Sequence, residues 1–220
     1  PEVRQAIARA IDRTAIVQVD FARHAVAAAL PVHPASALYN AAQAQTLSYD
    51  PEQAAANLEA LRAAGRTVTL VANSENTAKA AAAQRIAAQL EAVGLTVHLS
   101  RLSYDSYVSA LAAGSFDLYL GQVTLTGDFD LAPLLSSSGS LNYGRWQDAL
   151  GDALLSALQG AQGDARTQAA ADLFAYLNQQ APIVPVCFKN GSVLTQWSRL
   201  SGLSPVRGNV FYQLENWKLS

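Results

Sequence analysis

Two acids two residues apart, Asp128 and Asp130, are the closest thing to a reactive pair in this sequence. Paired carboxylates are the raw material of general acid–base chemistry. Set in the run Gly121-Gln122-Val123-Thr124-Leu125-Thr126-Gly127-Asp128-Phe129-Asp130-Leu131, they suit an ordinary turn or helix cap equally well, because Gly-Asp pairs are common turn chemistry. The other chemistry-bearing residues are scattered. His24, His33 and His98 fall in different predicted elements, without the His-Glu-x-x-His or paired-cysteine spacing of a zinc site, and Cys187 is the lone cysteine. There is no Gly-x-Ser-x-Gly elbow, phosphate loop or dinucleotide fingerprint. No catalytic residue, metal or cofactor is expected, and a hydrolytic enzyme with a dispersed site is the lesser alternative.

Composition narrows the class further. At 220 residues, 50% hydrophobic and 15% charged, the chain can bury one sizeable core. Lys+Arg 15 against Asp+Glu 17 gives a net charge of -2, so no basic face for nucleic acid is implied. The longest apolar runs, Ala25 to Leu30 and Ile183 to Phe188, fall far short of the roughly 20 residues that cross a bilayer. The sequence opens directly on a helical pattern, Val3, Ile7, Ala10 and Ile11, and contains no Met, so it reads as an excised or processed piece. Cys187, on an apolar strand, is expected to behave as a small buried hydrophobe.

The elements that must position these residues alternate between helix and strand. Asp12 is a cap candidate before Ala15-Ile16-Val17, and the stretch from Leu30 to Ser48, with Pro31 and Pro34, reads as a long loop. Asp50-Pro51-Glu52 signals a helix start and Gly65 its stop. Thr67 to Ala72 alternates as a strand, the polar loop Asn73-Ser74-Glu75-Asn76 follows, and Ala80, Ala83, Ile86, Leu90 and Val93 mark a long helix ending at Gly94. Leu95 to Leu99, a helix from Tyr104 to Ala113, and Phe116 to Gly121 continue the pattern; a loop runs from Gln122 to about Leu141. Two helices, Trp146 to Leu158 and Ala165 to Asn178, precede two strands, Ile183 to Phe188 and Ser192 to Trp197, joined at Asn190-Gly191 by a hairpin turn. The strand, helix, strand order predicts an α/β fold whose central mixed sheet, built from segments near 67–72, 96–101, 116–121 and 183–197, is flanked by helices.

These residues also carry a resemblance that spans nearly the whole chain. Val3-Arg4-Gln5-Ala6-Ile7 with Ala10-Ile11-Asp12-Arg13, the paired Pro31 and Pro34, Tyr49-Asp50-Pro51-Glu52 with Ala64-Gly65, and Ile86, Leu90, Gly94 and Val97 come in the order and spacing of one group. Tyr104 and Tyr107 before Gly114-Ser115-Phe116-Asp117-Leu118, Asn142 before Asp152 and Leu154-Leu155, and Arg166 before Ala181-Pro182-Ile183-Val184-Pro185-Val186 continue it. The chain resembles the extracytoplasmic solute-binding proteins of peptide and nickel ABC transporters, family 5. The resemblance implies a type II periplasmic-binding-protein-like lobe over residues 1–197, with 198–220 a closing segment that returns toward a first lobe absent from this sequence. It further implies capture of a small peptide or similar solute for ABC permease subunits, by a monomer in the periplasm or a lipoprotein at the cell surface. A ligand-sensing module on the same fold is the alternative. A lobe alone is expected to bind peptides weakly or not at all, since closure of two lobes completes the cavity.

Site residues follow from the same resemblance. A buried ammonium needs an acid, since an uncompensated buried charge costs several kcal/mol. In the family that acid lies in the loop after the strand resembling Phe116 to Leu120, which points to Asp128 as the amine anchor, Asp130 as the fallback, and Gln122 and Thr124 as hydrogen-bonding neighbours. Asn73 occupies the position where some relatives present an arginine to a ligand carboxylate; it can bond backbone but cannot neutralise charge. Asn142, Tyr143, Arg145 and Trp146 form a polar and aromatic group in which Arg145 could meet a carboxylate. Each has an ordinary reading too: a solvated turn at Asn73, a surface charge at Arg145, and packing for Trp146, Trp197 and Trp217.

Overall fold

The computed structural model describes residues 1–196, 199–206 and 208–219, which divide into two compact units, Pro1–Phe188 and Lys189–Ser220. Helix α1 (Glu2–Ala10) buries Ala6, Ile7, Ala8 and Ala10. Asp12 caps the short α2 (Arg13–Ala15), accepting from the Ala15 N–H at 2.9 Å, and the chain runs on through a π-helical turn, Ile16–Asp20. Arg13 is buried with no carboxylate against it among the described residues; its guanidinium donates to the carbonyls of Pro185 (2.8 Å), Ala8 and Leu47 (both 3.2 Å). Those carbonyls replace lost hydration, and burial still pulls the Arg13 pKa down to about 10.

A short strand β1 (Ala25–Ala27) precedes the stretch expected to be loop, and a one-turn helix α3 (Ala41–Ala44) interrupts it. Helix α4 (Pro51–Ala60) starts as its sequence predicts, with Asp50 accepting from the Gln53 N–H at 2.9 Å and proline in the first turn. Then come β2 (Thr67–Asn73), α5 (Thr77–Ala92), β3 (Thr96–Leu102), α6 (Tyr104–Ala113) and β4 (Leu118–Leu120). The three strands form one parallel sheet in the order β3-β2-β4. Alternation along the strands sends Val68, Leu70, Val97, Leu99, Leu118 and Leu120 against Ile86 and Leu90 of α5, while Val71, Leu102 and Tyr119 meet Tyr107 and Leu111 of α6. The sheet is therefore covered on both faces. Leu70 and Val71, in its central strand, are 2% and 1% exposed, each worth about 2 kcal/mol of burial.

A second core lies beneath the helices α7 (Ala132–Leu135), α8 (Ala149–Gly160) and α9 (Gly163–Gln180), where Leu131, Leu135, Leu155, Leu158, Leu173 and Phe174 pack together with Leu30 and Val32. The end of α9 is closed from the start of the chain. Arg4 donates to the Gln180 carbonyl through Nε (2.9 Å) and Nη2 (2.6 Å), and Gln5 Nε2 donates to that of Gln179 (2.8 Å), satisfying carbonyls that a helix leaves open.

The sheet differs from expectation at its last segment. Strand β5 (Cys187–Lys189) joins β1 in a separate two-stranded pair and not the central sheet, which is parallel throughout. Residues 183–186 are in no strand and carry Pro185, which has no N–H to give a ladder; Pro185 offers its carbonyl to Arg13 and Val186 its own to the Ala28 N–H (3.1 Å). The hairpin at Asn190-Gly191 does not form, since residues 191–196 are in no strand, and Trp197 lies outside the described residues. Cys187 is half-buried rather than buried.

In the second unit, β6 (Leu200–Ser201) pairs antiparallel with β7 (Lys218–Leu219). Gly202 sits between them and a 3-10 turn at Leu214–Asn216, with φ +77 and with room for no β-carbon, which would lie 2.4 Å from the Asn216 carbonyl oxygen. Phe211 and Trp217 pack ring to ring at 5.8 Å.

Candidate functional site

In a parallel sheet covered on both faces, the open ground is at the carboxyl ends of the strands, where neighbouring connections depart in different directions. Here β2 leads through α5 to β3 on one side, while β4 pairs on its other side, so the crevice falls between the exits of β2 and β4. The register Ala72↔Leu120 sends Asn73 and Gly121 out of the sheet side by side. Asn73, only 5% exposed, turns its side chain into its own loop: Oδ1 accepts from the Asn76 N–H at 3.2 Å, and Asn76 in turn caps α5 through the Lys79 N–H at 3.0 Å. The Asn73 Nδ2 is buried without a hydrogen-bond partner among the described residues. Gln122 and Thr124, just beyond β4, are exposed. Tyr107 closes the base of this exit, donating from its hydroxyl to the Leu120 carbonyl at 3.1 Å; burial drives its pKa up to about 12.

The next turn, Thr126 to Asp130, is pinned from several sides. The Thr126 carbonyl accepts from the Phe129 N–H at 3.0 Å, and the Thr126 hydroxyl oxygen accepts from the Asp130 N–H at 3.1 Å. Arg166, in the first turn of α9, donates Nη2 to the Asp128 carbonyl (2.8 Å) and Nη1 to the Leu158 carbonyl at the end of α8 (3.0 Å). Asp130 Oδ1 accepts from the Ala132 N–H at the start of α7 (2.9 Å) and from Gln159 Nε2 (2.8 Å). The Asp128 carboxylate stays exposed; a hydrogen bond from the Thr126 hydroxyl, then its own backbone N–H and the nearby Arg166 charge, hold its pKa below the usual carboxylate range. The Asp128 carboxylate thus takes part in the turn's own bonding through the Thr126 hydroxyl while staying ionised and exposed to solvent.

The third group of candidates is committed elsewhere. Asn142 Nδ2 donates to the carbonyls of Ser136 (3.0 Å) and Trp146 (2.7 Å), and its Oδ1 accepts from the Trp146 N–H (3.0 Å). The Trp146 indole lies so close over Gly151 that a β-carbon there would stand 2.5 Å from the ring. Arg145, exposed and at φ +52, donates Nη2 to the Ala112 carbonyl at 3.2 Å, against the end of α6. Helix α6 begins at the carboxyl end of β3 and runs back for ten residues, about 15 Å, so Arg145 sits toward the opposite edge of the sheet from Asn73 and Gln122. The structure thus brings Asn73 and Gln122 to one crevice, sets Asp128 and Asp130 in one turn, and does not bring Arg145 to the exits of β2 and β4.

Thr126, Phe129 and Arg166 are parts of the Asp128 turn that sequence reasoning did not single out as site residues. The Thr-x-Asp spacing was a readable signal for Thr126; the reach of Arg166 across 38 positions had none. Among the described residues no cluster of three or more His, Cys, Asp or Glu could hold a metal ion, and no helix is long and apolar enough to cross a membrane.

Comparison with known proteins bears on the family and the fold. Residues 1–143 match the model of bacterial extracellular solute-binding proteins, family 5 Middle. No curated protein matches the sequence. Among solved structures, the oligopeptide-binding protein AppA from Bacillus subtilis, in complex with a nonapeptide, is similar over 100% of this chain and 47% of its own, at 19% identity and TM-score 0.75. The ABC transporter substrate-binding protein CtaP from Listeria monocytogenes is similar over 99% of this chain and 46% of its own, at 19% identity and TM-score 0.83. A periplasmic oligopeptide-binding protein from Thermotoga maritima, bound to mannohexaose, is similar over 96% and 45%, at 23% identity and TM-score 0.79. The chain spans under half the length of each, and the likeness fixes the fold.

Proposed function

Because this chain belongs to the bacterial extracellular solute-binding proteins of family 5, we propose that it is one lobe of a two-lobe protein that captures a small peptide or related solute outside the cytoplasm for an ABC permease. The observation that carries the reading is the Thr126–Asp130 turn, in which Thr126, Arg166 and Asp130 hold the backbone and the Asp128 carboxylate, bonded by the Thr126 hydroxyl, is ionised and exposed. A ligand ammonium is the natural counterpart of such a group. Gln122 and Thr124, at the exit of β4, are placed to bond the amides of an extended ligand. Asn73 supports them by shaping the β2 exit, and the role of Asn142, Arg145 and Trp146 is to build the neighbouring loop. The protein acts by binding and release, without catalysis, and the other lobe supplies the second wall.

Relatives of this fold hold a nonapeptide and a mannohexaose, so the ligand has to be found by experiment. Native mass spectrometry of the full-length protein from its own host identifies the retained solute. That solute is then titrated into parent and Asp128→Asn. We expect a solute with a free amine and an affinity loss of about tenfold or more in Asp128→Asn; an amine-free solute, or equal affinity in the two proteins, defeats the reading.

A further inference from the structure

The Asp128 turn contains a residue that turn chemistry does not favour. Phe129 has φ +58, in the left-handed region that glycine enters freely and a bulky side chain enters at a cost. The cost is met by packing. The Phe129 ring stands edge to face with Phe188 of β5, centroids 6.0 Å apart at 87°, and Phe188 stands against His33 in the same way at 5.4 Å and 66°. Phe129 thereby joins the second core beneath α7, α8 and α9. The residues on either side of it are those whose carboxylates diverge, Asp128 outward and Asp130 onto the start of α7.

We propose that Phe129 is a positioning residue for ligand recognition: wedged against Phe188, its ring locks the turn in the left-handed conformation that holds the Asp128 carboxylate out of the protein and in place before a ligand arrives. The inference rests on the reading of Asp128 as an anchor. Hydrogen bonds from the Phe129 N–H, the Asp130 N–H and Arg166 hold the backbone of the turn; without the wedge those bonds alone would bear the left-handed cost at Phe129, and the bond from the Thr126 hydroxyl to the Asp128 carboxylate would loosen. Pre-organisation of this kind spares a ligand the cost of ordering the turn.

The test needs no ligand. In the full-length protein carrying ¹³C at the Asp side-chain carboxyl carbons, the Asp128 signal is assigned by its loss in Asp128→Asn and titrated with acid. Parent and Phe129→Tyr, which keeps the ring, are expected to titrate together below the ordinary carboxylate range, while Phe129→Gly and Phe188→Leu shift toward the ordinary value. Unfolding midpoints are recorded for each, and Phe188→Leu stands in if Phe129→Gly does not fold. A parental titration in both Phe129→Gly and Phe188→Leu overturns the proposal, as does an equal shift in Phe129→Tyr. Failure of the anchor itself shows separately, as unchanged ligand affinity in Asp128→Asn with the titration pattern intact.

Discussion

Two neighbouring loops of the first unit use the same kinds of side chain to opposite ends. The loop from Ser136 to Asp148 saturates itself: Asn142 makes three bonds to backbone, Ser137 N–H donates to Asp152 Oδ1 at 2.8 Å, and Asp148 Oδ1 caps α8 through Gly151 N–H at 2.7 Å while its carboxylate receives the Tyr176 hydroxyl. The turn from Thr126 to Asp130 also holds its own backbone, but its Asp128 carboxylate, bonded within the turn, stays exposed to solvent. An asparagine, arginine and tryptophan close together in sequence look as suited to a ligand as a Thr-Gly-Asp run. What separates them is whether the polar groups are turned onto neighbouring backbone or toward solvent, which sequence does not display.

The contrast makes its largest prediction at Asn142. Replacing it with alanine leaves the Trp146 N–H and two carbonyls without their partners in a half-buried loop, and should cost about 2–3 kcal/mol of stability. Denaturant unfolding of the full-length protein would show a lower midpoint with unchanged slope; a loss within about 0.5 kcal/mol would mean the loop is not self-supporting and that Asn142 is free for other work. Gly151→Ala comes next. Its β-carbon would meet the Trp146 ring at 2.5 Å, and the displaced indole should cost about 1–3 kcal/mol in the same experiment. If the variant is as stable as the parent, Trp146 moves freely and its place as a packing residue is lost. Asp130→Ala removes the acceptor of the Ala132 N–H at the start of α7 and the Gln159 contact, for about 1 kcal/mol.

How far the sequence displayed all this depends on whether a feature is local. The start of α4 was legible because capping is a local matter of Asp50 with Pro51 and the N–H three residues on. The β2–α5–β3 unit was legible because alternation and helical spacing are periodic, and the parallel pairing follows from a helical crossover. The last segment was misplaced because partner choice is not local: Asn190-Gly191 is good turn chemistry, but Pro185 and the Arg13 contact hold the preceding residues beside β1. β1 and α3, of three and four residues, are too short for any period to declare itself. In the site, the acidic turn could be read from Thr-Gly-Asp, whereas the commitment of Arg145 to the end of α6 arises only once the loop lies across that helix.

Asp128→Asn closes the comparison with the smallest effect on the fold and the sharpest contrast with Asn142. Its carboxylate is exposed, and the neighbours that favour its charged form, led by the Thr126 hydroxyl, lower its pKa in the folded state. A lowered pKa means the folded protein holds the proton less tightly than the unfolded chain. The resulting stabilisation is in place above the unfolded value, near 4 for an aspartate, and fades as pH falls through the folded value. At neutral pH solvent screening leaves little of it, so the unfolding midpoint of Asp128→Asn should match that of the parent. Below about pH 4 the parent should lose stability slightly faster than the variant, because only the parent has a favourable charge there to lose. A clear destabilisation of Asp128→Asn at neutral pH would mean that the Thr126 bond to its carboxylate holds the turn together, make the two loops alike, and remove the case for Asp128 as a ligand anchor.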